Sequence, residues 1–197
     1  MKASQEEFLR RLARYEVSSA QLPHFERKHF GRFSAVTELL RTNGIRLTLR
    51  LGARTASEPY RTESRYRLTD PGGELLAVAE STLSTKYNMA GDSVAFTDVY
   101  FDSAKNGMLI FEKLGWTTNR YIVFRPGEDA LASESGEGRG WEVRYVVIPQ
   151  PKNPFGYEEH LVIGIHDGRV YLKCFDRYFA IPVNDLESYS DLGFKVG

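Results

Sequence analysis

Five arginines alternate with other residues along two successive strand-like segments, and they are the strongest chemical signal in the chain. Side chains of a strand point alternately to its two faces, so IRLTLRL at 45–51 and YRTESRYRLT at 60–69 each place their arginines on one face. These arginines are Arg46, Arg50, Arg61, Arg65 and Arg67. Guanidinium groups offer paired N–H donors that match phosphate and carboxylate. If the two strands are neighbours, the pattern predicts an anion-binding face. Nearby tyrosines could extend this face by stacking on bases. The alternative is a solvated face whose charges are balanced by acidic residues.

Two acids and a lysine beyond the second arginine segment point to a different chemistry. Asp70, Glu80 and Lys86 are the residue types with which a metal-dependent nuclease holds a divalent ion and orients the attacking water. The usual spacing puts the lysine close behind the second acid, whereas here it follows Glu80 by six residues and residue 82 is a threonine. The three residues are therefore weak catalytic candidates, and a turn acid with two surface charges is the alternative.

The segment RVYLKCFDRYFAIPV, at 169–183, combines the only cysteine with many aromatic residues. Alternation places Tyr171 and Phe175 on one face of a strand and Cys174 on the other. The two aromatic side chains are predicted either to pack under a helix or to line a ligand or partner surface. Because no activating neighbour is evident, Cys174 is predicted to be a small buried hydrophobic residue and not a nucleophile.

No arrangement of histidine, cysteine and acid predicts a metal site. One cysteine excludes a cysteine zinc site and an intramolecular disulfide, and the four histidines lie in a connector or at strand ends. Neither a phosphate-binding glycine loop nor a G-x-S-x-G motif occurs. The sequence predicts no metal and no cofactor.

The first 44 residues show helical periodicity and are predicted to form an N-terminal helical segment. SQEEFLRRLARYE, at 4–16, has one apolar stripe and a capping-box spacing at its start. RFSAVTELLRTNG, at 32–44, has a second stripe and ends at Asn-Gly, a typical helix stop. The sequence therefore predicts two helices, joined by a connector over 17–30.

After residue 44 the apolar period changes from helical to strand-like. Turn sequences such as DPGG at 70–73 and Asp167-Gly168 separate the segments. The predicted strands cover 45–51, 60–69, 74–86, 93–102, 107–114, 117–125, 141–149, 160–165, 169–175 and 178–183.

Hairpin-length connections make these strands antiparallel, because parallel pairs need long crossovers. The prediction is an α+β fold: two N-terminal helices and about ten strands, curled into a barrel or folded into a sandwich so that few edges stay open. A single domain is expected over 1–197, with a β-rich core at 45–183 and a C-terminal tail at 184–197. The Gly-, Ser- and acid-rich stretch 126–140 is predicted to be a mobile loop within that core.

The formal net charge is zero, but the charges are unevenly distributed. Residues 1–54 hold eleven Lys and Arg against five Asp and Glu. Such an asymmetry is typical of a chain end that meets a polyanion, or of two halves that complement each other. No leader-like or membrane-spanning apolar run is present, so a soluble, cytoplasmic protein that meets no membrane is expected.

Three functional hypotheses follow from these patterns. The leading one is a β-rich binding module that meets an anionic partner, nucleic acid first, through the arginine-bearing face. The second is a metal-dependent nuclease, which leaves open whether the protein is an enzyme. The third is a non-enzymatic subunit of a protein assembly or homo-oligomer.

Overall fold

The computed structural model describes residues 3–29, 36–40, 45–51, 61–84, 95–114, 118–127, 140–148 and 160–189. The first elements in chain order are α1 (Ala3–Leu12), β1 (Glu16–Val17), β2 (Glu26–His29), β3 (Val36–Leu40), β4 (Arg46–Leu51), β5 (Arg61–Thr69) and β6 (Leu75–Ser84). The remaining strands are β7 (Ala95–Asp102), β8 (Gly107–Leu114), β9 (Thr118–Pro126), β10 (Trp141–Val147), β11 (His160–His166), β12 (Arg169–Cys174), β13 (Arg177–Pro182) and β14 (Glu187–Tyr189). Short 3-10 turns occupy Ala13–Tyr15, Ser19–Gln21 and Val183–Asp185.

The strands form three antiparallel sheets. The central sheet has the strand order β14-β10-β9-β8-β7-β2. The arginine sheet has the order β3-β4-β5-β6, and the C-terminal sheet has the order β1-β13-β12-β11. The predicted antiparallel, β-dominated fold is confirmed.

The central sheet is covered on both faces, which makes the fold a three-layer sandwich. Runs such as MLI at 108–110 and YIVF at 121–124 are apolar without alternation, as expected for strands buried on both sides. Met108, Ile110, Ile122 and Phe124 form one core with the arginine sheet. Leu109, Tyr121 and Val123 are among the central-sheet residues of a second core, shared with α1 and the C-terminal sheet.

Of the two strand arrangements that the sequence left open, the closed barrel is excluded, because each sheet of the described residues keeps two edge strands. One part of the predicted architecture is wrong. The second N-terminal helix is absent: Val36–Leu40 is β3, which pairs with β4 from Val36 opposite Arg50 to Leu40 opposite Arg46. The sequence VTELL fits both periods over so short a length, and backbone pairing with β4 decides in favour of the strand. The other residues of that predicted helix lie outside the described residues.

The ends of the chain also contribute strands where connector and tail were predicted. β1 pairs with β13, and β2 pairs with β7 at the edge of the central sheet. β14, from the predicted tail, pairs with β10 at the opposite edge. Most of the predicted 126–140 loop lies outside the described residues. None of the helices in the described ranges is long and apolar enough to cross a membrane.

A candidate anion-binding face on the arginine sheet

β4 and β5 are neighbouring antiparallel strands, so the arginines of both segments share one sheet. The inward residues of both strands, such as Leu47, Leu49, Tyr66 and Leu68, are buried against the central sheet. Alternation then directs the intervening residues outward, away from the core. Because the inner side chains of β4 and β5 are buried, the arginine side chains between them are directed to the outer face of the sheet.

The strand register brings the arginines of β4 and β5 close to one another. The Cα of Arg50 lies opposite that of Arg65, and the Cα of Arg67 lies opposite that of Thr48. Directly opposite residues have Cβ atoms about 5 Å apart, and diagonal neighbours are about 7–8 Å apart. The side chains of Arg46, Arg65 and Arg67 are exposed. The side chains of Arg50 and Arg61 lie outside the described part of the structure, although their backbones belong to β4 and β5.

Glu80 on β6 neutralises part of this positive charge. Its Oε1 lies 2.9 Å from Nε of Arg65, directly across the β5–β6 pair. Both side chains are more than half exposed, at 56% and 55%, and an ion pair in such a position stabilises by at most about 1 kcal/mol. A phosphate group can therefore compete with Glu80 for Arg65 at little free-energy cost.

The free edge of the arginine sheet beside Glu80 is closed by a side chain from the central sheet. The Tyr145 hydroxyl accepts the Glu80 backbone N–H at 3.0 Å and donates to the Glu80 carbonyl at 2.8 Å. Because β6 is an edge strand, these two backbone groups would otherwise face outward and invite another strand. Tyr145 thus fixes the backbone at the position that presents the Glu80 carboxylate.

The aromatic residues expected to accompany the arginines are elsewhere. Tyr66 is fully buried beneath the face, where its hydroxyl donates to Glu112. No aromatic ring is exposed among the described residues of this face of β4, β5 and β6. The face therefore offers charge and hydrogen-bond donors, without a stacking platform for bases.

Tyr171 and Phe175 belong to the C-terminal sheet, and the central sheet separates them from the arginines. Tyr171 is 8% exposed, and its ring packs 5.1 Å from that of Phe25, between ring centroids. Burial raises the pKa of the Tyr171 phenol. Phe175 begins the β12–β13 turn with a φ of 54° and packs partly against the core. The structure therefore does not bring these two residues to the arginine face, and Cys174 is buried as predicted.

The acids of the nuclease hypothesis are not brought together. Asp70 Oδ1 accepts the Glu74 N–H at 2.8 Å, which closes the β5–β6 turn. Glu80 lies five residues along β6 from Leu75, about 17 Å from that turn by strand rise. Lys86 is outside the described residues. Within the described ranges, no group of three or more His, Cys, Asp and Glu residues could hold a metal ion.

The described basic residues among the first 54 do not form one surface. Arg10 and Arg11 are exposed on α1, which packs with the C-terminal sheet. Arg46, by contrast, lies on the arginine sheet, across the central sheet from α1. The face on β4 and β5 is therefore a local cluster and not part of a continuous basic end.

Sequence reasoning missed a second pair of arginines. Arg125 on β9 and Arg144 on β10 both donate to Asn184 Oδ1, at 2.6 Å and 3.1 Å. Alternation places Arg125 and Arg144 on one face of two adjacent strands. Asn184, however, follows Arg144 by about forty residues, and no local sequence pattern predicts that it contacts the two arginines.

The arginine face gathers exposed guanidinium groups and the Glu80 carboxylate on one surface. No protein-family model, curated protein or solved structure matches this chain.

Proposed function

We propose that this protein is a binding module whose arginine face, the outward side of β4, β5 and β6, binds an anionic partner, nucleic acid first. The observation that carries the proposal is the antiparallel pairing of β4 with β5, which gathers Arg46, Arg65 and Arg67 on one exposed surface. Arginines on rigid strands lose less freedom on binding than arginines on a loop.

The chemistry of the face favours contacts to phosphates over contacts to bases. Phosphate contacts supply affinity without sequence information, whereas sequence is read by contacts to base edges or by stacking. Arg65 and Arg67 project two residues apart on one strand, about 7 Å by strand rise. Since its described residues carry donors and no exposed ring, the face fits a nucleic-acid backbone of any sequence.

Fluorescence anisotropy with labelled oligonucleotides at 50 and 200 mM salt tests this proposal. Binding that weakens steeply with salt is expected, because each neutralised phosphate releases counterions. Arg67→Ala should lower the affinity for every sequence about equally and reduce the salt slope by about 1. Arg11→Ala, at an exposed position of α1, is the matched control and should change neither.

Two results would overturn the proposal. One is the absence of binding even at 50 mM salt, or an affinity that does not change with the salt concentration. The other is an equal loss of affinity in Arg67→Ala and Arg11→Ala, because that would report net charge and not a local face.

Replacing Glu80 by glutamine is expected to strengthen nucleic-acid binding about three- to tenfold at low salt. The change releases Arg65 from its ion pair and removes the one described carboxylate that faces the partner beside it. Anisotropy titrations of both proteins measure the ratio of dissociation constants. Glu7→Gln, an exposed position on α1, changes the net charge equally and should leave the affinity almost unchanged. Equal gains in both variants would show that Glu80 does not act locally.

A further inference from the structure

A cleft of about 600 Å³ opens at one end of the sandwich, between the central sheet and the C-terminal sheet. On the central-sheet side it is lined by Gly107, Val123 and Arg125, and on the other side by Ile165 and Val183. This volume lies in the range of pockets that hold small organic ligands. The cleft is separated from the arginine face by the central sheet.

Glycines form part of the cleft lining. The Gly127 N–H donates to the Gly140 carbonyl, and a Cβ on Gly127 would collide with that oxygen. Gly168, in the β11–β12 turn, has a φ of 70°, which residues with a Cβ rarely adopt. With Gly107, these three make four glycines in the lining, and none of them has a side chain that enters the cleft.

Two guanidinium groups converge on one neutral oxygen beside this cleft. Nη1 of Arg125 and Nη1 of Arg144 both donate to Asn184 Oδ1, at 2.6 Å and 3.1 Å. The distance between the two Nη1 atoms therefore cannot exceed the summed lengths of these two hydrogen bonds. Holding like charges so close is unfavourable unless an anion lies nearby, and the Glu142 carboxylate supplies one negative charge at Arg125.

The acids around the arginine pair only partly balance it. Glu142 Oε2 accepts from Arg125 Nε at 2.7 Å and lies 2.6 Å from its Nη2. Arg144 donates to Asn184 and to the Val183 carbonyl, and among the described residues it has no carboxylate partner. These three side chains together keep one uncompensated positive charge. The cleft lining also holds two other carboxylates: Asp102, which accepts four backbone N–H groups, and Asp167, which pairs with Lys105.

Donors remain available on both arginines. A guanidinium carries five N–H groups. Three nitrogens of Arg125 are directed by Glu142 and Asn184, which fixes the orientation of the fork and leaves two of its N–H groups unused by the described residues. On the opposite rim, Lys105 Nζ lies 3.4 Å from Asp167 Oδ1, an exposed and therefore weak pair.

We propose that this cleft binds a small molecule through a phosphate or carboxylate group, with Arg125 as the anion-binding residue on its lining and Asn184 as the residue that positions Arg125. Arg144 is not part of the lining; it shares Asn184 Oδ1 with Arg125 and adds positive charge next to the cleft. The anion supplies the charge that the pair lacks, and the fixed guanidinium of Arg125 offers a fork that needs little reorganisation. Glu142 competes with the ligand for Arg125. The proposal is independent of the function proposed for the arginine face.

NMR titration of the ¹⁵N-labelled chain with inorganic phosphate, and separately with succinate, tests this proposal. Saturable shifts are expected at the Nε–H of Arg125 and at the amides of Gly127 and Gly168. Neutral succinamide is the ligand control and should produce none. A response to only one of the two anions would identify the group that the cleft prefers.

Matched variants separate this site from a general charge effect. Arg144→Ala and the charge-conserving Arg125→Lys should each weaken binding at least fivefold, and Glu142→Gln should strengthen it. Arg177→Ala removes an arginine that is likewise held by a carboxylate, Glu16, but lies at the opposite end of β13 from the lining residue Pro182, and it should have no effect. Titrations without saturable shifts for either anion, or equal weakening in Arg177→Ala, would overturn the proposal, whether or not oligonucleotides bind the arginine face.

Discussion

Asp102→Ala is expected to lower the free energy of unfolding by about 3–5 kcal/mol. Asp102 is 1% exposed, and its carboxylate accepts four backbone N–H groups. Two come from Ala104 and Lys105 in the β7–β8 turn, at 3.2 Å each, and two from Asp167 and Gly168 in the β11–β12 turn, at 2.9 and 2.8 Å. One side chain therefore ties the central sheet to the C-terminal sheet. Urea unfolding followed by circular dichroism measures the loss.

The negative charge of the Asp102 side chain, and not only its size, should contribute to the free energy of unfolding. Asp102→Asn retains the shape but replaces one acceptor oxygen by an NH₂ group that faces N–H donors, so most of the loss should persist. Asp176→Ala, at an exposed turn position, is the control and should fall within about 0.5 kcal/mol of the unchanged protein. A loss of under 1 kcal/mol for Asp102→Ala would contradict the idea that this carboxylate joins the two sheets.

Tyr66→Phe is expected to lower the free energy of unfolding by about 2 kcal/mol. Tyr66 and Glu112 are both fully buried between the arginine sheet and the central sheet, where the Tyr66 hydroxyl donates to the Glu112 carboxylate. Removing the hydroxyl takes a donor from a buried charged group, which costs more than a hydrogen bond at the surface. The same urea titration gives the size of the effect.

A double substitution distinguishes the buried polar pair from simple packing. Both residues also make further contacts, so Tyr66→Phe is measured alone and in a Glu112→Leu background, and the cycle isolates the hydrogen bond between the two side chains. Tyr66→Phe should cost less stability in the Glu112→Leu background than in the unchanged protein. If the two losses instead add, the hydroxyl and the carboxylate act independently, and the interpretation of this pair is wrong.

Most strands were predictable because their local signals agree with the tertiary structure. The segment at 45–51 alternates strictly, and it forms a half-buried strand as such a pattern requires. The turns at 70–73 and at Asp167-Gly168 carry residues suited to tight hairpins. Val36–Leu40 was mispredicted because only its pairing with β4, a long-range contact, makes it a strand.

The sequence predicted that the arginines of the candidate site share one face of their strands, but it did not predict which residues surround them. The sequence places Arg65 and Arg67 on one side of a strand, but it contains no information about Glu80 lying opposite Arg65. Nor does it indicate that Tyr66 is covered by the central sheet or that Tyr171 belongs to the other outer sheet. These facts depend on which sheets stack on each other, which no local pattern encodes.

The apolar central sheet forms the shared wall of two separate cores. Amide hydrogens of β8 and β9 are shielded by both, so their exchange with solvent requires the most extensive opening of the molecule. Each outer sheet rests on one core only and can detach while the opposite core stays intact. Partial unfolding that begins at the arginine sheet therefore exposes one core first, and amide exchange in β4 and β5 should precede exchange in β8 and β9.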